Sequence, residues 1–175
     1  MKANHNDGSE IVIGNYTKNV VKNGRIVSLP RTNSEYFNDT VVAHETGHAI
    51  HAQKGIIDCD KRIVRQDFAD HFSELQKIIG GKEPEISNYL HNSRKNGTQN
   101  DREQIVVLAD ILASLTGGKF GWGHELDYYN RKSFPEAEVF AHSVSLLKTK
   151  NDFVNGNEDI KAVVDLMKKK ILDWL

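Results

Sequence analysis

The sequence predicts an α+β fold that is mostly helical, with an N-terminal β-hairpin ahead of a helix carrying the pattern HExxH. Three observations carry that prediction. β-prone runs are confined to the first thirty positions: Ile11-Val12-Ile13, Lys18–Val21 and Arg25–Leu29, with Asn23-Gly24 between the last two as a type I′ hairpin signal. From Asp39 onward apolar residues recur three and four apart, the spacing of helices with one buried face. The chain has 175 residues, 38% of them hydrophobic, which suits one compact domain with its own core. The polar first ten residues are expected to be disordered, leaving 11–175 as a single domain.

The motif helix lies within Asp39–Lys54, capped by Asn38 or Asp39 and ended by Gly55. A second helix follows, with Val64, Phe68, Phe72, Leu75 and Ile79 as one stripe. Asp70 and His71 on it read as surface or internally satisfied residues, because no partner spacing accompanies them. Pro84 to Leu90 makes a short helix and the polar stretch Asn92 to Gln99 a loop. Asn100 or Asp101 caps the next helix, which turns Ile105, Leu108, Leu112 and Leu115 inward and closes at Gly117-Gly118. Asp110 lies inside this apolar helix, either as the partner of a ligand histidine or exposed on the outer face. Lys119 to Phe134 reads as a glycine- and aromatic-rich loop. Pro135 opens the next helix, with Glu136 and Glu138 in its first turn and Val139, Phe140, Val144, Leu146 and Leu147 as its apolar face. The last helix runs from about Glu158 to Trp174 and points Ile160, Val163, Val164, Met167, Ile171 and Leu172 inward.

Composition excludes several functions. A net charge of -1 gives no electrostatic footprint for nucleic acid, and Lys168-Lys169-Lys170 reads as the solvated face of a terminal helix. No segment is long and apolar enough for a membrane, so neither nucleic acid nor membrane is expected as a partner. Cys59 is the only cysteine, which rules out an intrachain disulfide. The polar start has no run of signal-peptide type, and a cytoplasmic or virion-associated protein, or a piece of a longer one, is expected.

Chemistry concentrates in His44-Glu45-Thr46-Gly47-His48. Residues four apart on a helix share a face about 6 Å apart, so the two imidazoles can converge on one Zn²⁺. Glu45 faces the same cleft, where it can take a proton from a water whose pKa the metal lowers to about 7. Val41, Val42, Ala43, Ala49, Ile50 and Ala52 make the surroundings apolar, and polar groups set into such a helix need partners. A catalytic zinc site needs a third protein ligand. His51 shares the face but lies about 10.5 Å from His44 along the axis, too far for one straight helix to enclose an ion, so it reads as packed or exposed. The metzincin spacing fails too, since neither Lys54 nor Ile57 is a ligand. Glu138 and His142, themselves four apart, are the best source, and geometry alone leaves them tied.

The segment Glu136-Ala137-Glu138-Val139-Phe140-Ala141-His142 resembles the downstream glutamate helix of gluzincin metallopeptidases, particularly the anthrax lethal factor branch. That resemblance implies Glu138 as the third zinc ligand, with His142 standing where the branch has another glutamate. A second resemblance spans about Asn38 to Leu147. Ala109-Asp110-Ile111, Leu115-Thr116-Gly117-Gly118, Gly123-His124, Tyr128-Tyr129 and Glu138–Ala141 are similar to the zincin-like domain of phage and prophage minor head proteins. Together these imply a zincin-like zinc metallopeptidase acting on a peptide or protein substrate, with phage head or portal proteins as further partners. Tyr129 or His124 would stabilise the developing oxyanion, the alternative for Tyr128 and Tyr129 being aromatic packing under a loop. Two rivals stand beside this expectation: a structural module whose zinc site His142 closes, and a toxin-like effector protease.

Overall fold

The helix Phe134–Leu146 (α6) organises the chain, because every residue from Ala137 to Leu146 is buried. A helix covered on all sides is the centre of its domain. In the computed structural model, residues 3–6, 10–13, 17–22, 25–30, 39–148 and 152–175 are described. In chain order these form strands β1 (Ala3–Asn6), β2 (Glu10–Ile13), β3 (Thr17–Lys22) and β4 (Arg25–Pro30), then helix α1 (Asp39–Gln53) and the short strands β5 (Ile57–Asp58) and β6 (Ile63–Val64). Helices α2 (Gln66–Ile79), α3 (Glu83–Asn96), α4 (Gln99–Thr116), α5 (Leu126–Tyr129), α6 and α7 (Glu158–Ile171) complete the fold. The α+β, mostly helical class is as the sequence predicts. No helix among the described residues is long and apolar enough to cross a membrane.

Among the described residues the strands pair as antiparallel twos, β1 with β2, β3 with β4 and β5 with β6. Lys22 pairs with Arg25, the register a two-residue Asn23-Gly24 connection requires, although those two residues lie outside the described ones. Ala3–Asn6, within the stretch expected to be disordered, pair with Glu10–Ile13 from Ala3↔Ile13 to Asn6↔Glu10.

Helices α1 and α6 meet backbone to backbone. A Cβ on Gly47 would lie 2.6 Å from Ala141 Cα, so the glycine inside the HExxH motif sets how closely the two approach. Asn38, a predicted cap of α1, lies outside the described residues. At the other end the Gly55 N–H reaches Ala52 C=O and the Ile56 N–H reaches His51 C=O, a Schellman closure.

Several predicted boundaries move. Helix α3 continues through Asn92–Asn96, where a loop is expected, because no glycine or proline interrupts it before Gly97. The guanidinium of Arg94 lies 5.5 Å from the Trp122 ring centre, which ties that last turn to the following loop. The N-cap of α4 is Thr98, not Asn100 or Asp101. Its hydroxyl accepts from the Asp101 N–H, and the Asp101 carboxylate accepts from the Thr98 N–H at 2.8 Å. Val64 belongs to β6 instead of α2, Leu172 is exposed beyond the end of α7, and the expected loop 119–134 contains α5. Trp174 folds back onto Phe68, His71 and Phe140.

Candidate metal centre

Helix α1 presents His44 and His48 from one face, with their Nε2 atoms 3.1 Å apart. Three hydrogen-bonding groups behind His48 fix which nitrogen points at His44. The Ile57 carbonyl can only accept, so His51 Nδ1, 3.1 Å away, carries a hydrogen. His51 Nε2 is then an acceptor, and His48 Nδ1, 3.2 Å away, donates to it. His48 Nε2 is left with a bare lone pair aimed at His44 and Glu138. The sequence permits His51 to be packed or exposed. It is buried, and its work is to set the tautomer of a neighbour three residues back.

Helix α6 supplies Glu138, which is 2% exposed. Its Oε2 lies 3.4 Å from His44 Nε2 and its Oε1 lies 3.5 Å from His48 Nε2. The Tyr128 hydroxyl donates to Oε1. A tetrahedral ion with bonds of about 2.0–2.1 Å has its ligand atoms about 3.3–3.4 Å apart; the two imidazole nitrogens are 3.1 Å apart, with one Glu138 oxygen 3.4 Å from the first and the other 3.5 Å from the second, close to that spacing. His44 Nε2, the lone pair of His48 Nε2 and the Glu138 carboxylate thus converge on one point, an arrangement that a cation satisfies. Glu138 Oε2 is moreover buried without a hydrogen bond. Two groups here could hold a metal ion, His44 with Glu138 and His142, and Asp110 with His124 and Glu138.

The loop after α4 completes the cluster. Its backbone seats on α4 through Gly123, where a Cβ would fall 2.4 Å from Asp110 Cγ, and the Trp122 N–H donates to Ala109 C=O at 3.2 Å. This seating carries His124 over Glu138. His124 Nε2 lies 3.5 Å from Glu138 Oε2 and 3.9 Å from Asp110 Oδ2, with its ring stacked on Tyr128 at 4.0 Å between centres. Asp110 is buried, so the exposed reading falls; its Oδ2 lies 3.3 Å from His142 Nε2. His142 stands 3.8 Å from Glu138 Oε2, and its ring centre is 4.3 Å from that of His44. Tyr129 does not reach the place expected of it. Its buried hydroxyl donates to Asp110 Oδ1 at 2.6 Å and accepts from the His124 N–H at 2.8 Å, so it holds the loop in place and does not face a substrate.

His44, Glu45, His48, His124, Tyr128 and Phe134 line a cleft of about 660 Å³, whose far wall includes Asp58, Cys59 and Asp60. Burial, with His142 and His48 nearby, holds the His44 imidazole well below its ordinary pKa, which keeps it neutral as a ligand must be. Burial pushes the half-buried Glu45 carboxyl up. Burial works against ionised Glu138, but the His124 imidazole that faces it outweighs burial and holds the carboxyl well below its usual range. The same contact with Glu138 raises the His124 imidazole, and burial beside Glu138 raises the Tyr128 phenol.

Comparison with known proteins finds no family model, no curated relative and no solved structure that matches this chain.

Proposed function

We propose that the protein is a zinc metallopeptidase of gluzincin type, with a zincin-like fold, in which His44, His48 and Glu138 hold Zn²⁺. The observation that carries this reading is the triangle of His44 Nε2, His48 Nε2 and the Glu138 carboxylate at 3.1–3.5 Å, opening on a cleft that Glu45 also lines. A bound Zn²⁺ supplies Lewis acidity and lowers the pKa of an adjacent water to about 7.

The chain's own groups do the rest. Glu45 takes a proton from that water and passes it to the departing amine; burial raises its carboxyl above the ordinary value, which makes it a stronger base. His124, whose imidazole stays protonated to higher pH because Glu138 faces it, donates toward the carbonyl oxygen as negative charge develops there. The Tyr128 hydroxyl orients Glu138, and His51 orients His48. The substrate is an extended peptide, which suits a cleft of about 660 Å³.

The test is Glu45→Gln. The variant keeps zinc and fold and loses all cleavage of a peptide library that the wild type processes, since an amide cannot accept the proton. Loss of zinc from Glu45→Gln, or no cleavage by the zinc-loaded wild type, contradicts the proposal. A second reading, a closed structural zinc site, draws on His142, whose Nε2 lies with His44 and Glu138 within 4.8 Å. On that reading Glu138→Ala and His142→Ala lose zinc equally, and the metallopeptidase proposal fails.

A further inference from the structure

We propose that the cluster is built for two cations that share Glu138, the first at His44 and His48 and the second at Asp110, His124 and His142. This rests on the metal reading above and adds to it a second, distinct binding site.

Three observations carry the proposal. One four-coordinate ion cannot use all the donors that converge here, because the Glu138 carboxylate is ringed by the Nε2 atoms of His44, His48, His124 and His142, with Asp110 behind them. Around the second position the donor atoms are spaced for an ion. Asp110 Oδ2 to His142 Nε2 is 3.3 Å, His124 Nε2 to Glu138 Oε2 is 3.5 Å, His142 Nε2 to Glu138 Oε2 is 3.8 Å and His124 Nε2 to Asp110 Oδ2 is 3.9 Å. Asp110, His124 and Glu138 form a potential cation-binding group in their own right. Independently of these distances, both ring nitrogens of His142 and Oε2 of Glu138 are buried without any hydrogen bond, in side chains 7% and 2% exposed. Buried polar atoms left open in this way call for a ligand.

A proton is the simplest alternative cation. Placed on His124, between Glu138 and Asp110, it satisfies the two carboxylates but does not engage His142 Nε2, which needs a hydrogen of its own to meet Asp110 Oδ2 at 3.3 Å. A metal ion engages that nitrogen together with both carboxylates. The orientation of Asp110 fits this role: Tyr129 occupies Oδ1 from behind and leaves Oδ2 facing the cluster, as groups behind a metal ligand do. Glu138 then bridges, with Oε1 toward His48 and Oε2 toward His124 and His142. Carboxylate-bridged pairs of this kind hold two ions about 3.5–4 Å apart. In the doubly loaded protein His124 is a ligand, and the positive charge opposite a substrate carbonyl oxygen comes from the second ion.

The experiment titrates the metal-free full chain with Zn²⁺ and counts equivalents by elemental analysis after removal of free metal and by calorimetry. The wild type takes two equivalents, one tight and one weaker. Asp110→Asn, which preserves shape, and His124→Ala, at a half-exposed position that does not endanger the fold, each keep the tight equivalent and weaken the second by more than about 100-fold, beyond what loss of a merely orienting group does. One equivalent in the wild type overturns the second site and leaves the first standing. No zinc at all overturns both. Two equivalents that survive in both variants place the second ion elsewhere and also overturn the proposal.

Discussion

His44 and His71 are both imidazoles on helices with little access to solvent, and they differ in what faces them. His71 on α2 packs against Phe68 and Trp174, with ring centres 5.8 and 5.3 Å away, and its Nδ1 has no hydrogen-bond partner. Burial drives its pKa down to about 4. Burial lowers His44 too, but its Nε2 meets His48 at 3.1 Å and Glu138 at 3.4 Å. Desolvation alone therefore makes a neutral histidine in either place. A cation site requires carboxylate oxygen and further lone pairs converging on the same point.

The largest effect that can break this comparison comes from removing the carboxylate. Glu138→Ala is expected to weaken zinc binding by far more than the 10–100-fold typical of a residue behind the ligands, whereas His71→Ala leaves it within about 2-fold. Competition against a chromophoric chelator measures both, and comparable losses would erase the distinction.

A smaller effect is the acid sensitivity of the apolar histidine. The folded pKa of His71, about 4, lies below its unfolded value of 6.5, so the unfolded chain binds more protons between them. Its contribution is fully present above pH 6.5 and is lost as pH falls toward 4, up to about 3 kcal/mol. Urea unfolding of the metal-free protein at pH 7 and pH 4.5 should show a smaller stability difference in His71→Leu than in the wild type. An equal difference would mean that His71 titrates freely.

Smaller still is the effect of His51, which meets His48 Nδ1 and the Ile57 carbonyl. His51→Ala should weaken zinc binding by about 10–100-fold by freeing the His48 tautomer. His51→Gln, able to accept from His48 and donate to Ile57, should recover part of the loss. An unchanged affinity in His51→Ala would show that His48 needs no such support.

What the sequence reveals follows from how local each signal is. Helix periods, the pairing of β3 with β4, the glycine ends of α1 and α4 and the shared face of His44 and His48 all depend on residues a few positions apart, and the structure shows each of them. Boundaries between competing polar residues were less legible: Thr98, Asn100 and Asp101 are each competent caps, and only the reciprocal bonds of Thr98 and Asp101 choose between them. The roles of His51, Asp110 and Tyr129 depend on contacts across the fold. The His51 spacing from His48 and the turn at Gly55 hint at its link to the Ile57 carbonyl, but Tyr129 reaches Asp110 across nineteen positions, and no periodicity announces that pairing.

Whether the groups around Glu138 bind a metal ion is decided by an anomalous difference map, recorded at the zinc absorption edge from crystals of the zinc-loaded chain. A peak is expected about 2.0–2.2 Å from His44 Nε2, His48 Nε2 and a Glu138 oxygen. No peak at Glu138, or zinc held only by an outlying histidine such as His91, would contradict it.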